Sequence, residues 1–372
     1  MIELKALTKQ FHQKGGGIVT AVDQVSMTVE TGECCVFLGP SGCGKSTTLK
    51  MINRLIEPSS GKVLIDGNDA FEMDKVTLRR SLGYVIQQIG LFPNMTIEEN
   101  ITIVPRLLGW DKKRMHDRAR ELMAMVALEP SKYLSRYPRE MSGGQQQRIG
   151  VIRALAADPP LMLMDEPFGA IDPINRSSIQ DEFRMMQREL NKTVIMVSHD
   201  IDEALKLADK IAMFRNGRLV QLDKPDDLLA RPADEFVSSF IGADSTLKRL
   251  LLISAGDAAV QPTTVPVNMP VGQAVALMEE NDWRHIVISN HGGEGVGYVL
   301  RHDLRKVDSG RLCGEFKHDF AATATVDENL RVLLSRMYAV NTSWLPVLDE
   351  KGTFIGEVTQ ESIAGRLSGH VA

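Results

Sequence analysis

Long apolar runs are missing from this chain of 372 residues: none approaches the roughly 18 uninterrupted apolar residues that a membrane-spanning helix requires. The opening MIELKALTKQ also lacks the basic-then-apolar plan of a secretory signal, so the chain is expected in the cytosol. Cysteine is scarce. Cys34, Cys35, Cys43 and Cys313 form no CxxC pair, which excludes a disulfide framework and a cysteine zinc site and leaves reduced thiols. Excess positive charge is absent too: the net charge of -5 argues against nucleic-acid binding through bulk charge. What is present is ordinary for a folded protein, 43% hydrophobic and 24% charged residues, which excludes a largely disordered or fibrous chain. At about 150 residues per domain the length predicts two or three domains.

Up to about residue 240, short apolar runs (CCVFL, LMLMD, TVIMVS) alternate with helical stretches such as Ile179 to Leu190. That alternation predicts an α/β domain with a largely parallel sheet. Between about Glu235 and Val260 the pattern loosens into a short helix and a connector. The remainder is an internal repeat: HIVISNHGGEGVGYVLRHDL aligns without a gap on WLPVLDEKGTFIGEVTQESI, pairing Gly297 with Gly356 and Gly293 with Gly352. Amphipathic helices, Val271 to Glu280 and Asn329 to Ala339, precede the two copies, giving tandem β-α-β units that can bury each other's open faces.

Three segments carry chemistry. GPSGCGKST at 39 to 47 follows the strand Cys34 to Leu38 and precedes the helical run Thr48 to Leu55, the context a phosphate-binding loop requires. Gly39, Gly42 and Gly44 let the backbone turn its N–H groups inward, and Pro40, Ser41, Cys43 and Thr47 complete the loop. Lys45 is placed to reach the β- and γ-phosphates, and the Ser46 hydroxyl to join a Mg²⁺ shell. The strand LMLMDEP ends in two carboxylates, Asp165 suited to the Mg²⁺ and Glu166 to polarising an attacking water. In MSGGQQQR, the residues Ser142, Gly143, Gly144 and Gln145 open a second helix with another amide cup suited to phosphate. By itself that segment reads better as a loop before a polar helix.

GPSGCGKST, Gln87, MSGGQ, LMLMDE, the GAID at 169 to 172 and His199 stand in the order of an ATP-binding-cassette (ABC) ATPase, and the first 240 residues resemble that family. The resemblance implies a P-loop NTPase fold with a RecA-like core plus a helical subdomain, binding ATP and Mg²⁺. It also implies a head-to-tail homodimer in which each ATP lies between the phosphate loop of one subunit and the SGGQ loop of the other. It assigns Gln87 to the Mg²⁺, the water and communication with a transmembrane partner, His199 to the γ-phosphate, Asp172 to the contact between subunits and Phe11 to adenine stacking. Core packing is an equally good reading for Phe11. Met141 and Ile171 depart from the family's usual leucines by apolar exchange.

The stretch QQIGLFPNMTIEENITIVPRLLGW, the variant MDEPFGAIDPI and the C-terminal repeats resemble the importer ATPases for glycine betaine, choline and carnitine. The repeats themselves resemble tandem CBS domains. The implied organisation is a cassette over 1–240, a linker over 241–255 and CBS domains over 256–312 and 313–372. It implies separate transmembrane permease subunits, an extracytoplasmic solute-binding protein, no nucleic acid, and a peripheral place on the cytoplasmic side of the inner membrane. The proline-interrupted loop from Gln88 to Asn100 is expected to expose Leu91, Phe92 and Met95 to such a permease. The Thr/Ser-x-x-Asp that grips ribose in CBS domains is only half kept, as Leu300 to Asp303 and as Thr359 to Ser362. Nucleotide binding and mere support of dimerisation both stay open for the pair. Import of another small polar solute, and a soluble non-transport cassette, are the alternatives.

Overall fold

Three strands, Cys34–Leu38, Leu161–Asp165 and Thr193–Val197, are buried at every position, as strands covered on both faces must be. The computed structural model describes all residues but 14–15, 88–89, 170, 172, 261–262, 291–293 and 369–372, together with the side chains of 173–175. Asp172, Ala170 of the GAID segment, Gly293 of the first repeat's turn, and Gln88 and Ile89 of the loop therefore lie outside the described residues.

Contacts divide the chain into two units, Met1–Ala243 and Asp244–Ala372. The first is built on a six-stranded sheet in the order Arg218–Asp223, Lys210–Arg215, Cys34–Leu38, Thr193–Val197, Leu161–Asp165, Leu82–Val85. All neighbours are parallel except the first pair. A four-stranded antiparallel sheet led by Ile2–His12 and Ile18–Val29 shares its core: Leu7, Val22 and Val63 pack with Phe37, Leu163 and Phe214, and with Leu49 and Ile52 of the helix Lys45–Ile52. Helices Ile97–Ile101, Ile103–Leu107, Lys112–Met125, Pro130–Tyr133 and Gly143–Leu155 form the helical part. The expected cassette architecture, a parallel core with a helical subdomain, is what the chain adopts.

The second unit has two matching halves. Each pairs a short strand in parallel with the first arm of a hairpin, Thr264–Pro266 with His285–Ser289 and Gly295–Leu300, and Ala324–Thr325 with Trp344–Leu348 and Phe354–Thr359. The matched glycines have a steric reason. A Cβ on Gly297 would stand 2.4 Å from the His318 carbonyl, and one on Gly356 would stand 2.7 Å from that of Val260. At each, the segment leading into the other repeat pairs with the edge of the sheet, His318 with Tyr298 and Val260 with Glu357.

The leading segments also pack across the two repeats. Residues 241–255 include the helix Ser245–Arg249, and Leu250 and Ala255 are buried with Leu330, Leu345 and Val347 of the second repeat. Ala258, inside the expected first CBS domain, packs there as well. Conversely Cys313 and Phe316, expected in the second, pack with Val265 and Leu304 of the first. Each repeat thus takes its first apolar residues from the chain ahead of the other.

Candidate functional site

Parallel sheets present their loops at the carboxyl ends of the strands, and ligands bind there. Leu38 is followed by residues 39–47, Asp165 by Glu166, and Val197 by Ser198 and His199, while Gln87 stands two residues beyond Val85. Four strands of one sheet therefore deliver the expected catalytic side chains to one edge.

Gly39 has φ +147°, and a Cβ there would stand 2.2 Å from the Phe214 carbonyl, so only glycine turns the chain out of this strand. The helix Lys45–Ile52 starts at Gly44 without a side-chain cap and without an acid in its first turn. Its orphan N–H groups and positive end are left for an anion. Lys45 is buried, and its Nζ donates to the carbonyls of Gly39 (2.6 Å) and Pro40 (2.9 Å), which holds the ammonium within the loop. Pro40, Ser41 and Gly42 are exposed and Thr47 half-buried. Cys43 is buried, and burial raises its thiol pKa, so the loop holds no activated thiolate.

Across from the loop, Ser46 Oγ donates to Asp165 Oδ1 at 2.7 Å. Asp165 is only 6% exposed and, among the described residues, has no basic partner. A buried carboxylate beside a hydroxyl is a hard-oxygen pair that suits Mg²⁺, which usually takes one or two protein oxygens and fills its octahedron with phosphate and water. No cluster of three or more acidic, His or Cys ligands exists among the described residues.

Glu166 is the most constrained member of the site. Its φ is +47°, unusual for a residue with a Cβ, and its N–H donates to the Val197 carbonyl at 3.0 Å. Its Oε2 accepts from Gln87 Nε2 at 3.0 Å and lies 3.4 Å from His199 Nδ1. Three side chains singled out in the sequence thus meet at one carboxylate oxygen.

The second glycine segment stands apart. Ser142 caps the helix Gly143–Leu155: its Oγ accepts from Gln145 N at 3.3 Å and its own N–H donates to Gln145 Oε1 at 3.0 Å. Among the described residues the serine O–H has no acceptor. Ser142 and Gly143 are exposed, Gly144 and Gln145 half-buried, and among the described residues no hydrogen bond joins 142–145 to 39–47. Phe11 is 41% exposed on its strand with Lys9 Nζ 5.0 Å from its ring centre, so it is no core residue.

The loop before Asn100 differs from expectation in part. Phe92 is exposed, but Leu91 and Met95 are half-buried. The cause is Asn100, fully buried, whose amide donates to the carbonyls of Phe92, Met95 and Thr96 and whose Oδ1 accepts from Phe92 N. Sequence reasoning missed it. Its only signal is an amide at an otherwise apolar position of a short helix. Gln147 was missed likewise: buried on the Ser142 helix, it donates to the Pro167 carbonyl just after Glu166.

In the C-terminal unit the half-kept ribose positions are occupied. Thr359 and Ser362 cap one another, with each hydroxyl accepting from the other's backbone N–H, and Asp303 faces His318 Nε2 at 2.9 Å.

Comparison with known proteins agrees with this geometry. The ABC transporter family model matches residues 22–169, and the CBS domain model matches 256–310 and 315–369. Osmoprotectant import ATP-binding protein OsmV of Salmonella typhimurium is 60% identical over 370 residues, 99% of this chain and 96% of the relative. Choline transport ATP-binding protein OpuBA of Bacillus subtilis is 46% identical over 98% of this chain and 95% of its own. Among solved structures, the ATP-binding cassette MJ0796, a dimer in a post-hydrolysis state bound to ADP and Pi, is 34% identical with a TM-score of 0.55, covering 60% of this chain and 99% of that one. No helix among the described residues is long and apolar enough to cross a membrane. The chain belongs to the ATP-binding subunits of the ABC transporter family that serve osmoprotectant uptake, an ATPase cassette followed by tandem CBS domains.

Proposed function

We propose that two copies of this chain pair head to tail and hydrolyse ATP to drive import of a quaternary-amine osmoprotectant, such as glycine betaine, through separate permease subunits. The carrying observation is the meeting of Gln87, Glu166 and His199 beside the Ser46–Asp165 pair at the end of the phosphate loop. The loop amides, Lys45 and the helix end hold the triphosphate. Ser46 and Asp165, with Gln87, would hold Mg²⁺, which neutralises charge on the β- and γ-phosphates when bound. Glu166 takes a proton from water as its oxygen attacks the γ-phosphorus and the bond to ADP breaks, leaving ADP and phosphate. Gln87 holds that carboxylate in place, and His199 stands where the γ-phosphate arrives. Exposed Ser142 and Gly143 complete the site from the other copy, and Asp172 joins the two. The dimer of the related cassette supports this pairing. Phe11, exposed and next to Lys9, takes the adenine ring.

An extracytoplasmic binding protein captures the solute for transport, and the cassette sits on the cytoplasmic side of the membrane, held by the permease through the loop around Phe92. The names of the relatives support the solute class. Glu166→Gln should lower turnover by roughly 10²–10⁴, the usual share of a general base, with ATP affinity kept; unchanged turnover contradicts the role. Uptake of labelled glycine betaine into vesicles carrying the permease, with and without this subunit, tests the solute.

A further inference from the structure

Aromatic residues make up only 5% of the chain, yet several meet between its two C-terminal repeats. Tyr298 and Phe320 lie nearly parallel, their ring centres 6.1 Å apart and their planes 12° from alignment. Each stands almost perpendicular to Trp344, at 5.3 Å and 88° for Tyr298 and at 6.2 Å and 86° for Phe320. His285 stacks on Trp344 at 4.0 Å and pairs with Glu357, which fixes the indole from outside. The three rings line a cleft of about 120 Å³. Its far wall is Val340, Asn341 and Thr342, the turn that ends the helix Leu330–Ala339. The last carbonyls of a helix carry the negative end of its dipole. Among the described residues lining the cleft there is no lysine or arginine.

We propose that this cleft binds a quaternary ammonium group, making the C-terminal unit a receptor for the class of solute the transporter moves. Such a head has no N–H to donate; it is held by aromatic rings and negative potential, and both are here. A nucleotide fits poorly. The cleft is smaller than the roughly 300–1,000 Å³ of sites for larger ligands, offers a phosphate no cation, and lies in a unit whose ribose-gripping positions are engaged with one another or with His318. A solute bound here reports its concentration to the ATPase that imports it. The ligand class rests on the transport reading above, whereas the cleft's shape and charge do not.

Titration calorimetry of the full-length protein with tetramethylammonium chloride, against sodium chloride at matched ionic strength, tests the site. Saturable binding is expected, weakened about 2- to 30-fold in Phe320→Ala and in Tyr298→Leu, the range set by loss of one cation–π contact. The far-UV circular dichroism and thermal unfolding of both variants should match those of the wild type, showing that the C-terminal unit folds. No saturable heat with tetramethylammonium overturns the proposal, as does heat unchanged in both variants. Saturable binding of adenosine that Phe320→Ala abolishes would assign the cleft to a nucleobase and overturn it as well. Because the probe is independent of the transported solute, binding without glycine betaine uptake removes only the transport reading. Uptake without binding removes only this one.

Discussion

Glu166 accepts a left-handed backbone that costs on the order of 1 kcal/mol for a residue with a Cβ, and in return its carboxylate meets Gln87 and His199 at the strand ends. Nearby, Glu203 shows what burial does to a carboxylate that forms no ion pair among the described residues. It is buried, accepts from Gln180 at 3.0 Å, and desolvation raises its pKa. The native state then holds this proton more tightly than the unfolded chain. The group's contribution to stability is complete below the unfolded carboxylate value and falls as pH rises from there through the raised folded value. The melting temperature of the wild type relative to Glu203→Gln should therefore fall from about pH 4 toward neutrality; a difference independent of pH contradicts this. The thiols give a second test. All four cysteines are buried, burial raises the Cys43 thiol pKa and pushes that of Cys34 up to about 12. Maleimide applied to the native protein at neutral pH should label none of them by mass spectrometry, and all four after denaturation.

At the scale of elements, the two glycine-opened helices begin differently. The helix at Lys45 leaves its first amides uncapped, whereas the helix at Gly143 is capped by Ser142 and Gln145. The first of these is already suited to phosphate within one chain. This much was legible, because a glycine loop between an apolar strand and a helix has few other uses. The loop held by Asn100 was not legible: which carbonyls a buried amide reaches depends on a turn geometry that the hydrophobic pattern does not encode. Asn100→Ala would strip Phe92 N and the Met95 carbonyl of their partner and leave the carbonyls of Phe92 and Thr96 with backbone donors alone. The expected loss is about 1–3 kcal/mol in denaturant unfolding, the cost of leaving buried polar groups unpaired. A loss below a few tenths would mean that the loop is held by other contacts.

For the whole molecule, the repeat was readable because the two copies align without a gap, while the exchange of their leading segments was not. Polar connectors look alike in sequence, and their destination is decided by which sheet leaves room at Gly297 or Gly356. The exchange has a practical consequence. A chain ending after residue 255 keeps Leu250 and Ala255 but loses the second-repeat core that buries them, and exposing a buried leucine costs about 1.5–3 kcal/mol. Ending at Ala243, where the first unit closes, avoids this. The shorter protein should be the more soluble of the two while both bind ATP; equal solubility would show that the segment from Ser245 does not depend on the second repeat.

The central claim, an ATP site shared between two copies, is tested most directly by mixing two inactive chains. Lys45→Ala disables the phosphate loop and Ser142→Arg disables the SGGQ loop. A mixed pair of these chains joins both lesions in one site and leaves the other whole, so the co-expressed mixture should hydrolyse ATP although neither parent does. If each copy encloses its own γ-phosphate, every chain in the mixture carries a lesion in its own site and the mixture stays as inactive as its parents.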